Sequence, residues 1–140
     1  MAKITPAQLA KSGTEQALQT AYFAALADHR AAHPELKWAH AIPNGGERNI
    51  AVASRMKASG ARSGVWDVCL PFPRGPHPFG YIEFKVPAVR GHKNGGCSDE
   101  QVDFGKAMAA HGAYLRVAYG WEEALAQTLA YLALPAPGQG

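Results

Sequence analysis

The apolar residues of this chain fall into short blocks whose spacing alternates between helical and extended periods. Thr5-Pro6-Ala7-Gln8 offers a capping hydroxyl, a proline suited to a first helical turn and a glutamine three residues on, so a short opening helix is expected. Leu18, Ala21, Tyr22, Ala25 and Leu26 recur at three- and four-residue spacing. They predict one amphipathic helix running to about His33 and ended by Pro34. Residues 36–42 read as a strand of mixed polarity, and Pro43-Asn44-Gly45-Gly46 as a tight turn. A helix rich in Arg and Lys is expected between Glu47 and Ser59, closed by Gly60.

Two apolar runs follow, 64–70 and 81–85, on either side of a loop carrying Pro71, Pro73, Pro76 and Pro78. This is the pattern of a hairpin with a long, stiff connection. The turn-rich basic segment 86–96 is expected to be a mobile loop. Ser98-Asp99-Glu100-Gln101 then opens a helix with Val102, Gly105, Met108 and Ala109 inward and Gly112 at its close. Residues 113–119 read as a buried strand, 121–132 as a final helix, and 135–140 as a frayed end. A strand–helix–strand crossover after a hairpin calls for a mixed sheet with helices on both sides, an α/β fold.

Composition narrows the class without naming it. With 140 residues, 47% hydrophobic and 18% charged, the chain can bury enough surface to fold as one domain without disulfides or structural metal. Cys69 and Cys97 are the only cysteines and form no CxxC, which excludes a zinc site of the usual spacing and suits a reducing compartment. No signal-peptide core and no run of membrane-spanning length occurs, so a cytoplasmic protein with no membrane partner is expected. The net charge of +3 is mild and compatible with nucleic acid.

The candidate chemistry lies in the hairpin. Asp67 interrupts the first run, where an aspartate is unfavourable in a strand. Glu83 and Lys85 lie two apart in the second and so share a face. Two carboxylates and an ammonium among Val, Ile, Phe and Trp are costly to desolvate unless a divalent cation or phosphate compensates. The alternative is an exposed Glu–Lys pair of little consequence.

Taken in order, Glu15 on a helix, Pro43-Asn44-Gly45-Gly46, Gly60-Ala61-Arg62-Ser63-Gly64-Val65-Trp66-Asp67, Glu83-Phe84-Lys85 and Ser98-Asp99-Glu100-Gln101 resemble the VRR-NUC (virus-type replication-repair nuclease) branch of the PD-(D/E)XK nucleases. One departure is Trp66, where that family usually has proline. The resemblance implies a restriction-endonuclease-like mixed sheet flanked by helices, with the nuclease domain over 14–132, an extension at 1–13 and a flexible tail at 133–140. It implies Mg²⁺ or Mn²⁺ held by Asp67, Glu83, the Phe84 carbonyl and Glu15, with Lys85 acting on the attacking water and Gln101 facing the metal site. It also implies a homodimer that cuts branched DNA in a phage or bacterial repair setting. A non-specific nuclease and a non-catalytic DNA-binding module are the rivals.

Two of these residues have a second reading. Ser12-x-x-Glu15 and Ser98-x-x-Gln101 both fit capping boxes. Asn44, Arg48, Arg55, Lys57, Arg62, Arg90 and Lys93, with His92, are candidates for the phosphate backbone, or else a solvated helix face and loop. His40 reads as a satisfied strand histidine. Trp66 is assigned to packing on the side opposite Asp67, and Trp121 is a core or interface candidate; the sequence does not show a dimer surface, for which the apolar final helix with Trp121, Leu125 and Leu132 is a candidate only.

Overall fold

Alternation along two neighbouring strands sets the layers of the molecule. In the computed structural model, which describes residues 2–43 and 49–139, β2 (Val68–Leu70) pairs antiparallel with β3 (Gly80–Phe84). Val68 stands opposite Ile82, and Leu70 opposite Gly80. β1 (His40–Ala41) joins β2 antiparallel, and β4 (Tyr114–Ala118) joins β3 in parallel, giving a mixed sheet of order β1-β2-β3-β4. The remaining elements are α1 (Pro6–Leu9), α2 (Glu15–Asp28), α3 (Ile50–Ala58), α4 (Asp99–Ala110) and α5 (Trp121–Leu132). The expected α/β order of elements is present.

The two faces of the sheet are covered differently. Val68, Leu70, Ile82 and Phe84 project to one side and are fully buried. There α2 and α5 lie side by side. Tyr22 of α2 meets the Phe84 ring edge-on at 5.3 Å, and its hydroxyl bonds Thr128 of α5 at 2.7 Å. On the other side α4 packs, with Phe104 edge-on to Tyr81 at 5.1 Å. Glu83 and Lys85 share that second face by strand alternation.

Several boundaries differ from the sequence reading, each for a local reason. α2 is capped by Thr14, whose hydroxyl accepts the Ala17 N–H, so the Ser12 capping box does not form. The helix stops at Asp28 instead of His33 because the chain turns back there to bring Leu36 into the core at 1% exposure. Residues 36–42 begin in a 3₁₀ turn, Pro34–Trp38, and hold only two residues of strand. The run from 64 becomes strand only at Val68, since Gly64 is left-handed at φ 87° and Trp66 turns onto α4. On α4 the inner face includes Gly105 and Phe104, and Ala109 is exposed.

The 86–96 segment is two 3₁₀ turns, Pro87–Val89 and Lys93–Gly96, tied down by the Tyr119 hydroxyl, which donates to the Gly95 carbonyl at 2.7 Å. Near the C-terminus Leu134 packs on the core, and the Pro135 carbonyl accepts the Gly75 N–H at 2.8 Å. On α5 Leu132 belongs to the core, while Trp121 and Leu125 are half-buried and pack against it. Both cysteines are free thiols. No helix among the described residues is long and apolar enough to cross a membrane.

Candidate active site

Three elements meet at the end of the hairpin. Asp67 is the last residue before β2, and its carbonyl accepts the Ile42 N–H at 2.7 Å, extending the β1–β2 ladder by one rung. The antiparallel register continues from Val68↔Ile82 to set Asp67 across from Glu83. The Asp67 carboxylate accepts the Phe84 N–H at 2.8 Å, so the side chain is held over the neighbouring strand. Lys85 continues the β3–β4 ladder by donating its N–H to the Ala118 carbonyl.

Glu15, first residue of α2, arrives from a separate element. One carboxylate oxygen from each of Glu15, Asp67 and Glu83 lies within 4.8 Å of the others. Glu83 is 1% exposed. Its Oε2 accepts from the Gln101 amide at 2.8 Å and lies 3.4 Å from Lys85 Nζ. Its Oε1 is buried with no hydrogen-bond partner among the described residues. A buried carboxylate oxygen left unpaired is expensive unless something binds it.

Electrostatics carries the same message. Burial pushes Glu83 well above the ordinary carboxylate range, Asp67 adds to the rise, and Lys85 opposes it. Asp67 is also raised, first by burial, with the Phe84 N–H and Lys85 pulling it back. Glu15 is raised chiefly by loss of water, against Lys85 and with Asp67. Three carboxylates that resist ionising together are a poor acid cluster and a good cation site. A hard divalent cation fits this all-oxygen donor set, with Asp67, Glu83 and Glu15 as the residues that would hold it.

Gln101 satisfies both readings of the sequence at once. Its Oε1 accepts the Ser98 N–H at 2.9 Å and its backbone N–H donates to Ser98 Oγ at 3.1 Å, completing the capping box. The box fixes the amide so that Nε2 faces Glu83. Trp66 is the residue the sequence reading undervalued. It packs as expected, but against α4 on the side that reaches Glu83, because residue 66 precedes the regular strand. Its indole N–H donates to the Gln101 carbonyl at 2.9 Å, and a Cβ on Gly105 would sit 2.8 Å from its ring. A buried indole N–H needs an acceptor, and that was the available signal. Cys97 was also passed over: its thiol is raised by burial, with Lys85 the next influence.

The candidate phosphate contacts are spread out. Arg55 and Lys57 lie on α3, and Arg62 lies just beyond it, its guanidinium donating to the Ala61 carbonyl. All three are exposed, as is Lys93. Arg90 is already engaged, paired with Glu123 and stacked over Tyr119 at 4.3 Å. His92 is exposed, and His40 bonds the Trp38 carbonyl through Nδ1. Asn44 and Arg48 lie outside the described residues.

The mixed sheet with helices on both faces defines an α/β protein whose acidic centre sits at the end of a hairpin. Its fold is that of a solved structure described as a VRR_NUC domain protein, with a TM-score of 0.70 and 21% identity. The match covers 88% of this chain and 91% of the other. No family model and no curated protein matches the chain.

Proposed function

We propose that the protein is a metal-dependent endonuclease of the VRR-NUC kind that hydrolyses DNA phosphodiester bonds. One observation carries the reading: Glu15, Asp67 and Glu83 converge beside Lys85, and the buried Oε1 of Glu83 lacks a hydrogen-bond partner among the described residues. The fold shared with a VRR_NUC domain protein supports it. A bound Mg²⁺ or Mn²⁺ would supply Lewis acidity at the phosphate and make nearby water more acidic.

The chain's own groups do the rest. Asp67, Glu83, Glu15 and the Phe84 carbonyl form the donor set, and Gln101 holds Glu83 in one orientation. Lys85, buried against the carboxylates, orients the attacking water and offsets negative charge at the phosphate. Arg55, Lys57, Arg62 and Lys93 contact phosphates outside the reacting one. A homodimer acting on branched DNA follows the resemblance to single-domain members of that family, since symmetric cutting of two strands needs two related sites.

The test incubates the protein with Mg²⁺ or Mn²⁺ and labelled linear, flapped and four-way-junction DNA. Cleavage by the parent, lost in Asp67→Ala and in Lys85→Ala, is the expected result. Binding without cutting under every metal would convert the enzyme into a DNA-binding module. Equal cutting of linear and branched DNA would remove only the structural preference.

A further inference from the structure

Helix α3 has an unusual relation to the rest of the molecule. None of its residues is buried, and Ile50 at its start is 86% exposed. A nine-residue helix is too short to be stable on propensity alone, so its stability must come from whatever it lies against. At 3.6 residues per turn, the half-buried Val52 and Met56 share the side turned to the body. Ile50, Ser54 and Ala58 then line the opposite, outward side, with Arg55 and Lys57 flanking them. From Asn49 to Trp66 the sequence has no Asp or Glu, while it carries Arg55, Lys57 and Arg62.

Topology says where this helix is displayed. The Ile42 N–H to Asp67 carbonyl bond joins the two ends of the excursion 43–66, so the chain leaves and returns at the acidic centre itself. The return is held rigidly: Gly64 is left-handed, and a Cβ there would meet the Glu100 backbone at 2.5 Å. Helix α3 ends at Ala58, six residues before this anchored turn, so the chain tethers it to the acidic site at that end.

From these observations we infer that α3 is an arm that lies along the phosphate backbone of a nucleic-acid duplex beside the site of cutting. Ser54 and Ala58 on the outward ridge are small enough for close approach, and two cations flank it with no acidic partner among the described residues. Charge complementarity favours a polyanion over a second copy of this chain, whose matching α3 would bring like charges together. The inference rests on the nuclease reading but has its own test.

Binding of a labelled DNA duplex is followed by fluorescence anisotropy across a salt series, without divalent metal, for parent, the double variant R55A/K57A and the charge-keeping R55K/K57R. Two lost phosphate contacts should make the log–log salt slope shallower by about 1.8, and the charge-keeping variant should retain the parent slope. Mn²⁺-induced thermal stabilisation should be the same in all three, since the acidic centre is untouched. An unchanged slope in R55A/K57A overturns the arm while leaving the nuclease standing. A changed sedimentation coefficient with an unchanged slope also overturns it, in favour of a contact between copies. Loss of Mn²⁺ stabilisation in the parent itself would instead count against the nuclease reading.

Discussion

Ile82 and Phe84 share a strand with Glu83 and Lys85, yet the two pairs have opposite physical roles. The first pair fills the apolar layer under α2 and α5, where Tyr22 and Thr128 make the few polar contacts and satisfy each other. The second pair is also buried but ionisable, and one Glu83 oxygen is left without a hydrogen-bond partner among the described residues. The comparison teaches that the apolar face supplies the stability that lets the acidic face remain under-satisfied. A cluster of raised carboxylates costs free energy in the metal-free fold, and only a well-packed opposite face makes that tolerable.

The comparison can be broken most severely at Phe84. Phe84→Ala should cost about 3–5 kcal/mol in chemical denaturation, because it removes a fully buried ring from the Tyr22 contact. A cost under about 1 kcal/mol would mean the apolar face is not what holds the sheet. Next comes the pH dependence. Folded Glu83 titrates above its unfolded range, so the folded state keeps a proton that the unfolded chain releases as pH rises. Stability of the metal-free protein should therefore fall as pH climbs past the ordinary carboxylate range, and level off above the raised pKa of Glu83. Glu83→Gln should flatten that fall, and urea titrations at several pH values would reveal an unflattened curve if the idea is wrong.

Smaller effects sharpen the acidic side alone. Gln101→Ala removes the donor to Glu83 and half of the capping box. It should weaken Mn²⁺ binding by about 10–100-fold in calorimetry while costing about 1 kcal/mol of stability. Trp66→Phe keeps the ring against Gly105 and deletes only the N–H to the Gln101 carbonyl. A loss of about 1 kcal/mol with a few-fold weaker Mn²⁺ binding is expected; unchanged metal affinity would show that the indole bond does not steady Gln101.

How much of this was readable beforehand depends on the range of the interaction. Helix faces set by local periodicity were legible, as with Leu18, Ala21, Tyr22, Ala25 and Leu26 of α2, all buried. So was the shared face of Glu83 and Lys85, which needs only the two-residue repeat of a strand. What escaped was decided by distant partners. The early end of α2 answers to Leu36, and the turn of Trp66 answers to Gly105, thirty-nine positions away in the chain. The double role of Gln101 was half-visible: the capping box is local, while its reach to Glu83 requires α4 to cross the sheet. The burial of Leu132 beside half-buried Trp121 and Leu125 escaped for the same reason, because amphipathic spacing cannot say which apolar residues find a neighbour inside the fold.

The single rung between Ile42 and Asp67 has a corollary. Because those two residues are joined directly, the chain between them can be lengthened without moving the carboxylates, and doubling such a loop costs only about 0.6 kcal/mol in closure entropy. The insert that carries α3 can thus vary in length while the acidic centre keeps its place.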